Sequence, residues 1–419
     1  MIDASSGSEP SLFAPTSVTQ RWAPEPGSGL SRRKLKPANY KATLPPVIAH
    51  LPVDLSGPAA AACSEAMHEI TAVDRSMDGS TVAIAALSLL RSEAVASSRI
   101  ESLRASHRGV SLAMYEPAAA KAPAREAAGN VKAMAAALAQ ADAAVPLSTA
   151  SLLQLHQVLL AEDDRGIAGR LRDKVVWVGG ATPVNASFVP PPHEHVPALL
   201  EDLGTFAARD DVDRIAKAAL VHAQFEGIHP FADGNGRVGR CIVHTLLRAD
   251  RVTTRTTVPV STVLLSERDA YFAALAAYQR EGDVDTWVTH FAHAASRAAK
   301  VSEALAHDLE ELTVEWHQRA GAPRTGSIAR RLIDMLPAQP VIDARTVAAT
   351  LEVDKRTAQR GIERLAKAEV LREVTGYRRN RVWAADELFD LLDGAQLAIG
   401  PDTDGHRPAA PSRHLRPWQ

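Results

Sequence analysis

Residues 229–240 read HPFADGNGRVGR and gather side chains suited to handling a phosphorylated substrate. Gly234, Asn235 and Gly236 permit backbone with positive φ, so successive N–H groups can converge into an anion nest. Apolar positions at Val238, Ile242, Val243, Leu246 and Leu247 predict a helix over 237–248. Its N-terminus would aim free N–H groups and a positive dipole end at the same place. Arg237 and Arg240, three apart on its first turn, can both reach an anion there. Asp233 adds a hard oxygen ligand of the kind Mg²⁺ takes. His229 is the nearby group able to accept a hydroxyl proton near neutral pH. Nest, metal ligand, charge clamp and base are the parts of a phosphoryl or nucleotidyl transfer site. Singly, a Gly-Asn-Gly turn or a histidine beside proline is ordinary structure, and the weight lies in their joint spacing.

This segment resembles the signature of the Fic family, His-x-Phe-x-(Asp/Glu)-Gly-Asn-Gly-Arg-x-x-Arg. Every fixed position is met, by His229, Phe231, Asp233, Gly234, Asn235, Gly236, Arg237 and Arg240. The resemblance implies a protein adenylyltransferase that uses ATP and Mg²⁺ and moves AMP to a Tyr, Thr or Ser hydroxyl of a target or of itself. It makes His229 the catalytic base and Asp233 the metal ligand. Gly234, Asn235, Gly236, Arg237 and Arg240 become the phosphate-binding set, with Phe231 a buried anchor of the loop. Two other readings stay open: a hydrolase of the same fold that removes AMP, and a DNA-binding regulator with a Fic sensor domain.

Three further segments carry the same resemblance. Residues 174–189, KVVWVGGATPVNASFV, have the β-branched and aromatic residues of a hairpin around a Gly-Gly/Thr-Pro interruption. They resemble the Fic flap, which implies a target protein docked along it as an added strand and a ligand-side role for Val178, Gly179 and Gly180. Tyr271, next to Phe272, resembles a position bordering the adenine pocket, although aromatics at helical spacing are usually core. In EAVASSRIES (93–102), Ser97 and Glu101 are four apart on one helix face. This resembles the family's inhibitory motif, which implies that Glu101 pairs with Arg240 and holds the enzyme shut. Ser102 stands where the family prefers Gly or Asn, residues that suit a left-handed helix end.

The elements that must position these groups are mainly α-helical. The expected fold is a Fic helical core with a β-hairpin flap and a small C-terminal winged helix domain. Residues 1–45, rich in Ser, Pro and Gly, predict an irregular leader, with 40–52 packing on the domain that follows. Helical periodicity marks 64–110, 126–143, 148–162 (with Ser148 as N-cap), 196 onward, 212–227, 267–281 and 284–316, giving a Fic domain over 46–318. After Ala320-Gly321-Ala322-Pro323, helices over 327–336, 344–351 and 355–368 and strands over 370–374 and 379–384 give the order of a winged helix (324–393). Lys355, Arg356, Arg360, Arg364 and Lys367, with Arg378, Arg379 and Arg381 on the wing, leave duplex DNA open as a partner. A homodimer that controls access of Glu101 is left open as well. Residues 395–419 have the composition of a disordered tail.

Composition narrows the setting. In 419 residues the net charge is −2, so any polyanion or membrane contact must be local. Two distant cysteines make neither a disulfide framework nor a zinc site, and no secretory signal or spanning run is apparent. The expected compartment is the cytoplasm.

Overall fold

A computed structural model describes residues 11–23, 36–77, 79–376 and 380–399. Among them no helix is long and apolar enough to cross a membrane. The helices, in order, are α1 (Gly57–Ser76), α2 (Gly79–Ile100), α3 (His107–Tyr115), α4 (Ala122–Asp142), α5 (Thr149–Leu160), α6 (Val196–Ala207), α7 (Arg214–Ile228), α8 (Asn235–Ala249), α9 (Val260–Ser266), α10 (Arg268–Glu281), α11 (Val284–Arg319), α12 (Ile328–Met335), α13 (Ala344–Thr350), α14 (Lys355–Lys367) and α15 (Asp386–Ala398). The strands are β1 (Thr16–Trp22), β2 (Ala38–Leu44), β3 (Val341–Asp343), β4 (Arg372–Glu373) and β5 (Val382–Ala384). The chain is therefore mainly helical, as its periodicity predicts.

Contacts sort the chain into two compact units. The first holds 1–65, 136–250 and 269–293, and the second 66–135, 251–268 and 294–419.

In the first unit α7 and α8 form the centre. Every residue of α7 from Ile215 to Ile228 is buried, and Asp213 caps its start by accepting from the N–H groups of Ile215 and Ala216. Ser148 caps α5 in a capping box with Ser151, as the sequence predicts. The segment before α1 also packs here. Asp202 on α6 accepts from the N–H groups of Ile48 and Ala49 at 2.8 and 2.9 Å. The expected irregular leader is only partly so: β1 and β2 pair antiparallel from Thr16↔Leu44 to Trp22↔Ala38. In both strands exposure alternates with period two, a signal obscured by the surrounding Ser, Pro and Gly. Residues 1–10 and 24–35 of that leader lie outside the described residues.

In the second unit buried carboxylates hold the short α9 segment. Glu93, on α2 and fully buried, accepts from the N–H and hydroxyl of Ser261. Asp74 accepts from the N–H groups of Thr254, Arg255 and Thr256. The C-terminal elements share this unit, so the boundary expected near 320 does not separate the compact units. Arg91 donates to the Pro337 carbonyl at 3.0 Å, and Asp393 pairs with His107 at 2.7 Å and Arg99 at 3.0 Å. Strands β3, β5 and β4 form an antiparallel sheet in that order beside α12–α14. The sequence reading did not contain β3 or α15, and α15 carries helix into the expected tail as far as Ala398. The rest of that tail from 400, and wing residues Arg378 and Arg379, lie outside the described residues.

The end of α2 resolves the Ser102 departure. Ser102 has φ +64, its N–H donates to Arg99 O, and Leu103 N–H to Ser98 O. Serine therefore occupies the left-handed position where Gly or Asn is easier. Ser102→Gly is expected to raise unfolding free energy by about 0.5–1 kcal/mol, read from a urea or thermal transition.

Candidate active site

The site sits on the turn from α7 to α8, buried except at Ala232 and Asp233 and half-buried at His229, with nearly every carbonyl accounted for. His229 takes the left-handed position after α7, with φ +50, and its N–H donates to Phe225 O at 2.9 Å. Arg172, 6% exposed, then satisfies three carbonyls in a row. Its Nη2 reaches Ile228 O at 3.4 Å, its Nε reaches His229 O at 2.7 Å, and its main-chain N–H donates to Pro230 O at 3.0 Å. The Asn235 side chain closes the next step, accepting from Phe231 N–H and donating to Phe231 O, both at 2.9 Å. His156 on α5 stacks on Phe231 with ring centroids 3.8 Å apart, and its Nε2 donates to Asp233 O at 3.1 Å. Val238 N–H takes Gly234 O at 3.0 Å. A turn so fully bonded has little freedom to reorient.

Two predicted details change. The helix begins at Asn235 rather than 237, so Arg237 lies on its first turn and Arg240 on the second. Of the three residues Gly234-Asn235-Gly236, only Gly234 uses positive φ, at +79. A Cβ there would stand 2.9 Å from Leu159 Cδ2, so this position requires glycine on two counts. Asn235 serves the loop through its side chain, which leaves its N–H as its contribution to the nest.

The start of α8 fits an anion. Gly234 is its N-cap and provides no side-chain cap, so the first-turn N–H groups face outward as an anion site. Arg237 is 2% exposed. Its Nη2 pairs with Asp233 Oδ2 at 3.2 Å, while Nε and Nη1 are buried without a hydrogen-bond partner among the described residues. An uncompensated buried guanidinium edge is costly unless a ligand completes it. Asp233 keeps its carboxylate 63% exposed, a single oxygen-bearing group suited to a metal otherwise held by phosphates and water. No group of three or more His, Cys, Asp or Glu able to hold a metal occurs among the described residues. Phe231 is fully buried, as expected of an anchor.

The flap is a minimal hairpin. Val178 and Phe188 form one antiparallel bridge, closed by a turn in which Asn185 Oδ1 accepts from Thr182. Arg172 holds its two ends, donating to Lys174 O at 3.2 Å and Pro191 O at 2.6 Å, and Thr43 of β2 donates to Val189 O. Gly179 and Gly180 both have positive φ, and Val178 is 46% exposed. Burial pushes the Arg172 guanidinium down to about 10, still cationic at neutral pH.

Tyr271 is a core side chain. It is 1% exposed, its hydroxyl lies 3.0 Å from His222 Nε2, and its ring packs against His222 and Trp287. Glu101 belongs to the second unit. It lies in the turn after α2, exposed, while Ser97 is fully buried on the helix, so the two do not share one helical face. Among the C-terminal cations, Arg364 donates to Ala320 O through Nε and Nη2, which makes it part of a helix junction. Lys355, Arg345 and Arg381 line a crevice of about 360 Å³ floored by Trp383.

Residues 146–247 match the Fic/DOC family, and residues 58–139 match its N-terminal family, Fic/DOC family N-terminal. These residues of the chain carry a Fic domain. The Fic chain is 30% identical over 129 residues to protein adenylyltransferase fic-1 of Caenorhabditis elegans, spanning 31% of this chain and 23% of that protein. It is 41% identical over 63 residues to the probable protein adenylyltransferase aq_aa38 of Aquifex aeolicus, 15% and 20% of the two chains. The Fic chain thus spans about a quarter of the length of the curated relatives it matches. In fold it is similar to the crystal structure of a Fic family protein from Desulfovibrio desulfuricans, with a TM-score of 0.50 at 20% identity over 80% of this chain and 97% of that one.

Arg172 and His156, neither singled out by sequence, are therefore the supports of this Fic loop. Arg172→Met would leave the carbonyls of 229 and 191 without their donor. We expect a loss of about 3 kcal/mol in unfolding free energy, measured by denaturant titration. Burial pushes His156 down to about 4 and His222 to about 3, from an ordinary 6.5. Both are neutral when folded, whereas the unfolded chain takes up their protons near 6.5. The unfolded state thus binds more protons below that pH, so stability is full above about 6.5 and falls as pH drops toward 4. In His156→Gln the slope of stability against pH in this window should be shallower by up to about 1.4 kcal/mol per pH unit, read from urea midpoints.

Proposed function

We propose that this Fic site is a protein adenylyltransferase, moving AMP from ATP to a Tyr, Thr or Ser hydroxyl, and that Glu101 restrains it. The observation that carries the reading is the pair of unpartnered buried N–H donors on Arg237 beside the uncapped start of α8. A terminal or bridging phosphate supplies the acceptors both lack. The relatives named protein adenylyltransferase agree with it.

In this reading the first-turn N–H groups of α8 and the Arg237 guanidinium hold the phosphate chain, and Arg240, three residues on, adds charge to the same set. Asp233 would hold Mg²⁺, which supplies positive charge to the departing phosphates. The flap lays the target segment along its exposed Val178 side. His229 takes the proton of the target hydroxyl, whose oxygen bonds to the α-phosphorus as the bond to the β-phosphate oxygen breaks. The products are an AMP-protein ester and pyrophosphate, with the proton left on His229. Glu101 opposes this state by hindering productive placement of the outer phosphates.

Intact-mass spectrometry after incubation with ATP and Mg²⁺ tests the scheme. Wild-type protein should gain little AMP, Glu101→Gly should gain it at least about tenfold faster, and His229→Ala in that background should gain none. An unchanged rate in Glu101→Gly contradicts the restraint, and transfer by the His229→Ala variant contradicts the base. Loss of AMP from a pre-modified protein without net gain points instead to the hydrolytic direction.

A further inference from the structure

The left-handed turn at His229 brings its ring back over the last turn of α7. There Nδ1 faces two acceptors from one residue: the Glu226 carbonyl at 3.3 Å and Glu226 Oε2 at 3.8 Å. Two acceptors on the same nitrogen favour a proton on Nδ1, which leaves the Nε2 lone pair as the open base. Glu226 is 8% exposed, an unusual setting for a carboxylate, on a core helix that also buries Lys217, His222 and Gln224. Its burial is accommodated by Gly239, on the facing side of α8. A Cβ at Gly239 would lie 2.9 Å from Glu226 Oε1 and 3.0 Å from His222 Nδ1. Titratable groups near this carboxylate include His229 and His222 on its own segment, and Arg240 on α8 lies close enough to His222 for its charge to disfavour protonation there. Tyr271 of α10 stands one step further, on His222 Nε2.

We propose that Glu226 is a positioning residue for the base: its carboxylate holds the His229 ring with the proton on Nδ1 and Nε2 directed to the acceptor hydroxyl. The carboxylate also stabilises the imidazolium formed when the ring takes that proton, because an opposite charge nearby favours the protonated form. Gly239 is the position on α8 that gives the carboxylate room. This inference rests on His229 being the base of the proposed transfer, but its first readout does not need transfer to occur.

The test is a ¹⁵N NMR titration of the His229 ring in the full chain, with His229→Ala identifying the signal. In wild-type protein the neutral ring should carry its proton on Nδ1. In Glu226→Gln the ring should titrate at lower pH, and the population protonated on Nε2 should grow. Glu226→Asp, which keeps the charge but draws it back, should fall between the two and serves if Glu226→Gln does not fold. In the Glu101→Gly background, Glu226→Gln should lower kcat about tenfold, leave KM for ATP within about twofold, and move the acid limb of the pH profile down. An unchanged tautomer and titration in both variants overturns the proposal, whatever the rates show. Absence of AMP transfer in every variant, with the ring changes present, would count against the transfer reading and leave the positioning intact.

Discussion

The turn from α7 to α8 is where the structure is most constrained, because a buried stretch of backbone must find partners for its carbonyls away from water. Arg172 serves those of Ile228, His229 and Pro230, Asn235 that of Phe231, and His156 that of Asp233. A single arginine ties both ends of the flap to the same turn through Lys174 O and Pro191 O. The His229 turn and the hairpin of 174–191 are thereby fixed to one cation. The cost of burying that cation is offset by five donated hydrogen bonds, four from its side chain and one from its main-chain N–H.

The same constraint explains why the functional groups are poised as they are. With the loop braced by its own side chains, the Arg237 edge and the α8 N-terminus are left to a ligand. His229 is held by the helix it caps. Its left-handed backbone is uncommon for a residue with a side chain, and such conformations persist where the surroundings over-determine them.

Much of this was legible in the sequence, and the limits have physical causes. The signature loop announces itself because each of its residue types is needed at a fixed spacing, and the long helices because their buried faces repeat every three or four residues. Arg172, His156 and Glu226 were silent: a lone polar residue inside an apolar helix or loop shows nothing of its partners, which lie 57 residues away for Arg172 and His229, and 77 for His156 and Asp233. The burial of Tyr271 was not legible for the converse reason, since an aromatic at helical spacing reads the same in a core and in a ligand pocket. The β1–β2 ribbon was hidden by the composition around it, although its alternation is plain once the register is known. At Ser102 the sequence departed from the family pattern but the backbone did not, because serine accepted the left-handed position at some cost.

In the proposed transfer the braced loop grips the outer phosphates of ATP while the α-phosphoryl group, with its nucleoside, leaves for protein. Parallel incubations of the Glu101→Gly chain with ATP labelled at the α- or the γ-phosphate test it most directly. The α-label should become covalently attached to protein and the γ-label should appear only in pyrophosphate. Covalent γ-label on the protein, or release of γ-label as inorganic phosphate with no α-label attached, would contradict it.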